Sequence, residues 1–244
     1  MKKLAVLGII ALLLGALVYT NKGRIYRTAR EVLRTHSREK VEAEIEQGGY
    51  IWGVDISHHQ KSIDWDMLVK QNRPDFIFMK CTEGSTHTDT KYKEYRKEAE
   101  KKGLLTGAYH FFSYQSKGAD QARNFIKHSN LKRGDLYPVL DIEYMNKTLS
   151  NSEVRKQVGA FCKVIKKHYG VNPIIYCEDA YYTNILIKGF KDFDYWISDL
   201  QRTPRNDYVF HQYTDKGDVK GIGKIDNNRM KKGLSLDDYT LGDF

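Results

Sequence analysis

The chain has 244 residues, 41% of them hydrophobic, with a formal charge of +9 at pH 7 and a pI near 9.2. That length and apolar content fit one sizeable core of α/β-barrel size, and the positive charge favours an anionic partner. Without a Lys/Arg run beside a nucleic-acid motif, nucleic acid is not the expected partner, and the spacing of Cys81, Cys162 and Cys177 matches neither a zinc knuckle nor a dense disulfide framework.

Lys2 and Lys3 precede an unbroken apolar run from Leu4 to Tyr19, the order of an export signal or a short membrane anchor. Ala16-Leu17-Val18 is a poor cleavage site, which favours the anchor. Lys22, Arg24, Arg27 and Arg30 oppose it, because an outward-facing domain should carry its positive charge mainly before the apolar run. Residues 1–20 are assigned to this segment and 21–48 to a polar stem or linker, with Ile25, Ala29, Val32, Leu33, Val41 and Ile45 at roughly helical spacing. Gly48-Gly49 ends that pattern, and residues 49–244 form the expected globular domain.

Beyond Gly49, short apolar runs alternate with longer polar stretches, the pattern of βα repetition around a parallel sheet. Strands are expected at Tyr50–Ser57, Phe76–Thr82, Leu104–Phe112, Tyr137–Ile142, Pro173–Cys177, Tyr195–Ser198 and Tyr208–Tyr213, with a short one ending near Asp226. Helices are expected at Lys91–Lys102, Gly118–Ser129 and Ser152–Tyr169, the last capped by Ser150 or Ser152. Eight strands indicate an irregular single-domain β/α (TIM-like) barrel, less helical in its last third, where the connections are too short for regular helices. The three cysteines read as small buried hydrophobes, their odd number leaving at least one thiol unpaired.

In such barrels the chemistry sits at the C-terminal ends of the strands. In Tyr137-Pro-Val-Leu-Asp141-Ile-Glu143 an apolar strand ends in two carboxylates two positions apart, which alternation turns to one face. Like charges held together resist joint ionisation, so one carboxyl keeps its proton to higher pH. Glu143, at the tip, is the expected proton donor; Asp141 is expected deeper and ionised. Asp55 and Ser57 share a face at the end of the first strand, so Asp55 joins the cluster, or else only caps the next turn. His58 and His59 are adjacent rather than alternating, which fits turn residues and not metal ligands; no metal and no cofactor is called for. Of the aromatic side chains near strand ends, Tyr109, Tyr176 and Trp196 are the candidate sugar contacts, since pyranose C–H faces pack on such rings.

Together these motifs resemble the family 25 glycoside hydrolases, the muramidase-type lysozymes. The resemblance spans about Trp52 to Asn228 and rests on Gly-Val-Asp55-Ile-Ser57-His-His-Gln60, Phe-Met-Lys80-Cys-Thr-Glu83-Gly84, Gly107-Ala-Tyr109-His110-Phe111, Pro138-Val-Leu-Asp141-Ile-Glu143, Ile-Tyr176, Tyr195-Trp196-Ile, His211-Gln212-Tyr213-Thr and Ile-Asp226-Asn-Asn228. It implies an acidic groove in a β/α barrel and cleavage of the β-1,4 bond between N-acetylmuramic acid and N-acetylglucosamine in peptidoglycan. By position it makes Glu143 the general acid, completes the site with Asp141, Asp55 and Asp226, and puts Gln212 among the substrate contacts. A substrate of this kind implies action outside the cytoplasmic membrane, with the membrane itself a partner if the first segment stays uncleaved. The chain departs from the family pattern at Cys81, commonly Ala; at His211, commonly Trp; and at Ser198-Asp199-Leu200, in place of Ala-x-Tyr. These departures bear on outer sugar subsites rather than on the reaction. Three routes stay open: a covalent retaining one, an inverting one, and one in which the substrate's N-acetyl group attacks the anomeric carbon.

Overall fold

A computed structural model describes residues 49–143 and 149–244. The export or anchor segment and the stem expected from the sequence lie outside the described residues. Among the described residues, no helix is long and apolar enough to cross a membrane.

The strands are β1 (Trp52–Ile56), β2 (Phe76–Glu83), β3 (His87–Thr88), β4 (Thr106–Phe111), β5 (Val139–Asp141), β6 (Ile174–Glu178), β7 (Tyr195–Ser198), β8 (Phe210–Val219) and β9 (Gly223–Met230). They form one sheet in the order β1-β9-β8-β7-β6-β5-β4-β2-β3, and β1 also pairs with β2, so eight strands close into a barrel with β3 outside it on β2. Closure removes the open edges a sheet of this length would otherwise carry. The helices are α1 (Trp65–Asn72), α2 (Tyr92–Lys101), α3 (Gly118–Ser129) and α4 (Asn151–Tyr169). Asp64 caps α1 by accepting from the Met67 amide at 2.8 Å, and Ser150 caps α4 by accepting from the Glu153 amide at 3.2 Å. After β6 the chain makes only short, irregular helical turns over residues 179–190, including a π-helical stretch at Tyr182–Leu186.

Two expectations need correction. The last barrel strand is neither short, nor parallel, nor ended near Asp226: β9 runs on to Met230, forms a long antiparallel hairpin with β8 and is also antiparallel to β1. Gly221 and Gly223 turn the chain with positive φ, and this glycine-rich turn leaves no room for a crossover helix. The carboxylate-bearing strand is also shorter than expected, Val139–Asp141, so Glu143 stands beyond the last paired residue.

The side-chain alternation along each strand sorts the core into two layers. Outward residues such as Ile77, Met79, Cys81, Ala108, Leu140, Ile175, Cys177 and Ile197 pack with the helices. Inward residues Phe76, Phe78, Val139, Ile174, Trp196, Phe210 and Met230 fill the barrel. That interior is tight: a Cβ on Gly53 or Gly107 would come within 2.5 Å of Phe76 or Phe78 respectively. Glycine at these two positions lets the phenyl rings lie flat against β1 and β4. All three cysteines are buried and free, as expected of small hydrophobes.

Candidate active site

Moving along the inward columns toward the C-terminal ends of the parallel strands, the character changes from apolar to polar. Phe76 and Phe78 give way to Lys80, Gly107 to Tyr109 and Phe111, Val139 to Asp141, Ile174 to Tyr176, Trp196 to Ser198 and Phe210 to Gln212. Register aligns these positions around the barrel: Asp141 lies opposite Phe111 and Tyr176, Tyr176 opposite Trp196, Gln212 opposite Ser198 and Asn228, and Asp55 opposite Asp226. β9 runs antiparallel, so its N-terminal half brings Asp226 to the same rim. The result is a cavity of about 500 Å³ lined by all eight residues expected from the sequence: Asp55, Asp141, Glu143, Asp226, Tyr109, Tyr176, Trp196 and Gln212.

Asp55 is held by a chain of fixed amides. Its Oδ2 accepts from Gln212 Nε2 at 3.2 Å and from Asn228 Nδ2 at 2.8 Å. Gln212 Oε1 in turn accepts from the Tyr176 hydroxyl at 2.8 Å and the Ser198 hydroxyl at 2.9 Å, and Asn228 Oδ1 accepts from the Trp196 indole N–H at 2.8 Å. Each amide thus has its carbonyl end occupied and can only present its NH2 to Asp55. Trp196 lines the cavity but is only 2% exposed, stacked on Phe78 with ring centroids 4.9 Å apart. Its nitrogen serves Asn228 and its face serves the core, leaving only its edge toward the cavity. Tyr109 also lines the cavity and is more open than Trp196; Tyr176 is 9% exposed.

Crowding and burial push every acid of the cluster upward. Asp55 rises to about 8 through burial, then the neighbouring Asp226 and Glu143, against the lowering effect of the Asn228 and Gln212 hydrogen bonds. Asp226 rises to about 6 through burial and the charges of Asp215 and Glu143. The Asp226 charge bears on Asp55, so the pair releases its protons in succession. Asp141 is deeper, 7% exposed, with Oδ1 lacking a hydrogen-bond partner among the described residues, and burial followed by repulsion from Glu143 and Asp55 raises it well above the usual range. These surroundings oppose the expectation of an ionised Asp141, since burial and like charges favour the neutral acid while the Lys80 charge acts the other way. Glu143 is raised by desolvation and by Glu178, with Lys80 opposing.

Lys80, Glu83, Phe111 and His59 were not among the expected site residues, yet all four line the cavity. Lys80 lies on the same inward column as Phe78, which alternation alone could have revealed; its Nζ bonds Glu83 at 2.8 Å and sits 4.5 Å from the Phe111 ring centre. The histidines behave as turn and core residues. Ser57 caps the short turn His58–Gln60, and His58 Nδ1 lies 2.7 Å from Asp89. His110 points outward, bonded to Thr82 at 2.7 Å and Gln121 at 3.0 Å, and burial lowers its pKa to about 4. Among the described residues there is no group of three or more His, Cys, Asp or Glu that could hold a metal ion. His211 is buried with Nδ1 accepting from Arg229 Nε at 3.2 Å, so its proton is on Nε2, which donates to the Asp199 carbonyl at 2.8 Å.

Comparison with known proteins gives concordant results. The family model described as "Glycosyl hydrolases family 25" matches residues 54–222. The protein named "Uncharacterized protein YegX" from Escherichia coli K12 is 37% identical over 187 residues, covering 73% of this chain and 68% of that protein. The "Autolytic lysozyme" of Clostridium acetobutylicum is 29% identical over 188 residues, covering 75% of this chain and 56% of the relative. Among solved structures, a family 25 glycosyl hydrolase from Bacillus anthracis superposes with a TM-score of 0.72 at 30% identity, covering 79% of this chain and 94% of its own.

Proposed function

The chain belongs to the family 25 glycosyl hydrolases, and on that premise we propose that it hydrolyses the β-1,4 bond between N-acetylmuramic acid and N-acetylglucosamine in peptidoglycan, with Glu143 as the proton donor. The observation that carries this reading is the position of Glu143: at the rim of the acid-lined cavity, beyond the last paired residue of β5, with its pKa raised by desolvation and by Glu178. A donor must keep its proton until the leaving oxygen needs it, and a raised pKa serves that need.

The charge distribution supports the substrate-assisted route. Burial and neighbouring negative charge raise Asp141, Asp55 and Asp226 together, which disfavours an ionised nucleophile among them. The carbonyl oxygen of the muramyl N-acetyl group attacks the anomeric carbon as the glycosidic C–O bond breaks and Glu143 gives its proton to the leaving oxygen. Water then opens the cyclic intermediate, losing its proton to Glu143. Asp226, the more acidic of the pair, stabilises the positive charge that develops on the sugar, beside an Asp55 fixed by Gln212 and Asn228. The substrate places the enzyme's work outside the cytoplasmic membrane, and the apolar run of residues 4–19 would deliver or tether it there.

Incubation of the protein with purified peptidoglycan, with new reducing ends identified by mass spectrometry, tests this. Muropeptides ending in reducing N-acetylmuramic acid are expected, with release by Glu143→Gln slower by about 100-fold or more. Products ending in reducing N-acetylglucosamine would overturn the bond assignment, and undiminished release by Glu143→Gln would overturn the proton donor.

A further inference from the structure

Beside the acid cavity, on its β6–β7 side, is a second cavity of about 710 Å³. Its lining begins with Glu178 and Ser198, each two residues beyond Tyr176 and Trp196 on the same faces of β6 and β7. The two hollows therefore adjoin along β6 and β7. Ser198 also joins them directly through its bond to Gln212, and Glu178 acts on Glu143 from the second cavity.

The walls of this cavity carry opposite charge. One is formed by Glu178 and Asp179 at the end of β6, the other by residues 199–206 with Arg202 and Arg205. The second wall is anchored at both ends. Asn206 Nδ2 donates to Asp179 Oδ1 at 2.7 Å and to Thr183 Oγ1 at 3.0 Å, while Asp199 accepts from the Gln201 amide at 3.0 Å and from Arg202 Nε at 3.2 Å. Arg205 stands between these anchors, exposed, and makes no ion pair among the described residues. The same wall holds the Ser198-Asp199-Leu200 departure from the family pattern.

We propose that this cavity is a subsite for the peptide stem attached to the muramyl sugar, with Arg205 receiving a stem carboxylate and the Glu178–Asp179 wall a stem ammonium group. A ligand bearing both charges matches both walls, whereas a purely anionic polymer would be repelled by Glu178 and Asp179. Stem peptides carry free carboxylates and, where a diamino acid is present, a free amine. They branch from the muramyl sugar, whose glycosidic bond is the one assigned to Glu143, so this inference rests on the proposed function.

The test compares the full chain with Arg205→Ala, Arg205→Glu and Arg205→Lys on stem-bearing glycan strands and on the same strands stripped of peptide by an amidase. The ratio of kcat/KM on stem-bearing to stripped glycan is expected to fall about fivefold in Arg205→Ala, further in Arg205→Glu, mainly through KM, and to recover in Arg205→Lys. An unchanged ratio in both Arg205→Ala and Arg205→Glu would overturn the subsite. Should the parent cleave neither glycan, the proposed function falls, and calorimetry with a disaccharide-peptide then judges the subsite by itself. Binding that weakens in Arg205→Glu upholds it; absence of binding, or equal binding by both proteins, overturns it.

Discussion

Replacing Asp55 by Asn should stabilise the protein at neutral pH while abolishing most of its activity. The Asn oxygen can take the place of Oδ2, keeping the bonds from Gln212 and Asn228, and its NH2 group then faces Asp226 without charge repulsion. In the native parent the Asp55 carboxyl has its pKa raised from 3.8 to about 8, so its contribution to stability is present below 3.8 and is lost as pH rises toward 8. At pH 7 the unfolded chain has released this proton and the native one still holds it, a ceiling of about 4 kcal/mol from roughly three pH units at about 1.4 kcal/mol each. Water in the open groove and the coupling to Asp226 reduce this, and about 1–3 kcal/mol is expected, or roughly 3–10 °C in Tm for a domain of this size. At pH 4 the same arithmetic leaves only about half a kcal/mol. Denaturant melts of parent and Asp55→Asn at pH 4 and pH 7 measure the difference directly. If the variant gains nothing at pH 7 relative to pH 4, Asp55 is ionised in the native state and the account of the cluster is wrong.

Activity of the parent should rise with pH through about 6 as Asp226 loses its proton, and Asp226→Asn should remove that limb from the pH profile of kcat/KM; a limb that persists would assign it to another group. Trp196→Phe keeps an aromatic ring on Phe78 but removes the N–H that orients Asn228, so kcat should fall about tenfold with KM little changed; a rise confined to KM would instead make Trp196 a sugar contact.

The site was legible because its chemistry follows strand alternation. Asp141, Tyr176 and Trp196 end apolar runs, and a two-residue period turns each inward wherever the strand begins. Glu143 could be read for the same reason, even though it lies beyond the paired part of β5. Lys80 was equally accessible to that logic, since it lies two residues beyond Phe78 on the inward column. What local pattern could not supply was pairing between distant segments. Nothing near Asn228 announces that it will meet Asp55, since they are brought together only when β9 turns antiparallel and closes the barrel against β1. The surroundings of Asp141 were hidden for a related cause: the burial and the Asp55 charge that raise its pKa, and the Lys80 charge that lowers it, come from other strands, which sequence spacing does not encode.

The placement of Trp196 shows how the fold sustains a cluster that opposes it. Gathering Asp55, Asp141, Glu143 and Asp226 in one cavity is unfavourable at neutral pH, since each raised pKa is stability forgone. The offset comes from directly below, where Phe76, Phe78, Phe210 and Trp196 pack ring on ring with centroids 4.9–5.7 Å apart, in space left by Gly53 and Gly107. Trp196 belongs to both layers: its ring lies in the aromatic floor and its N–H fixes Asn228, which fixes Asp55. The same packing that stabilises the barrel therefore sets the orientation of an acid at the rim. Substitutions in the floor should for that reason disturb catalysis before they unfold the domain, because an amide turned by a fraction of an ångström loses its bond to Asp55 while most of the buried area remains.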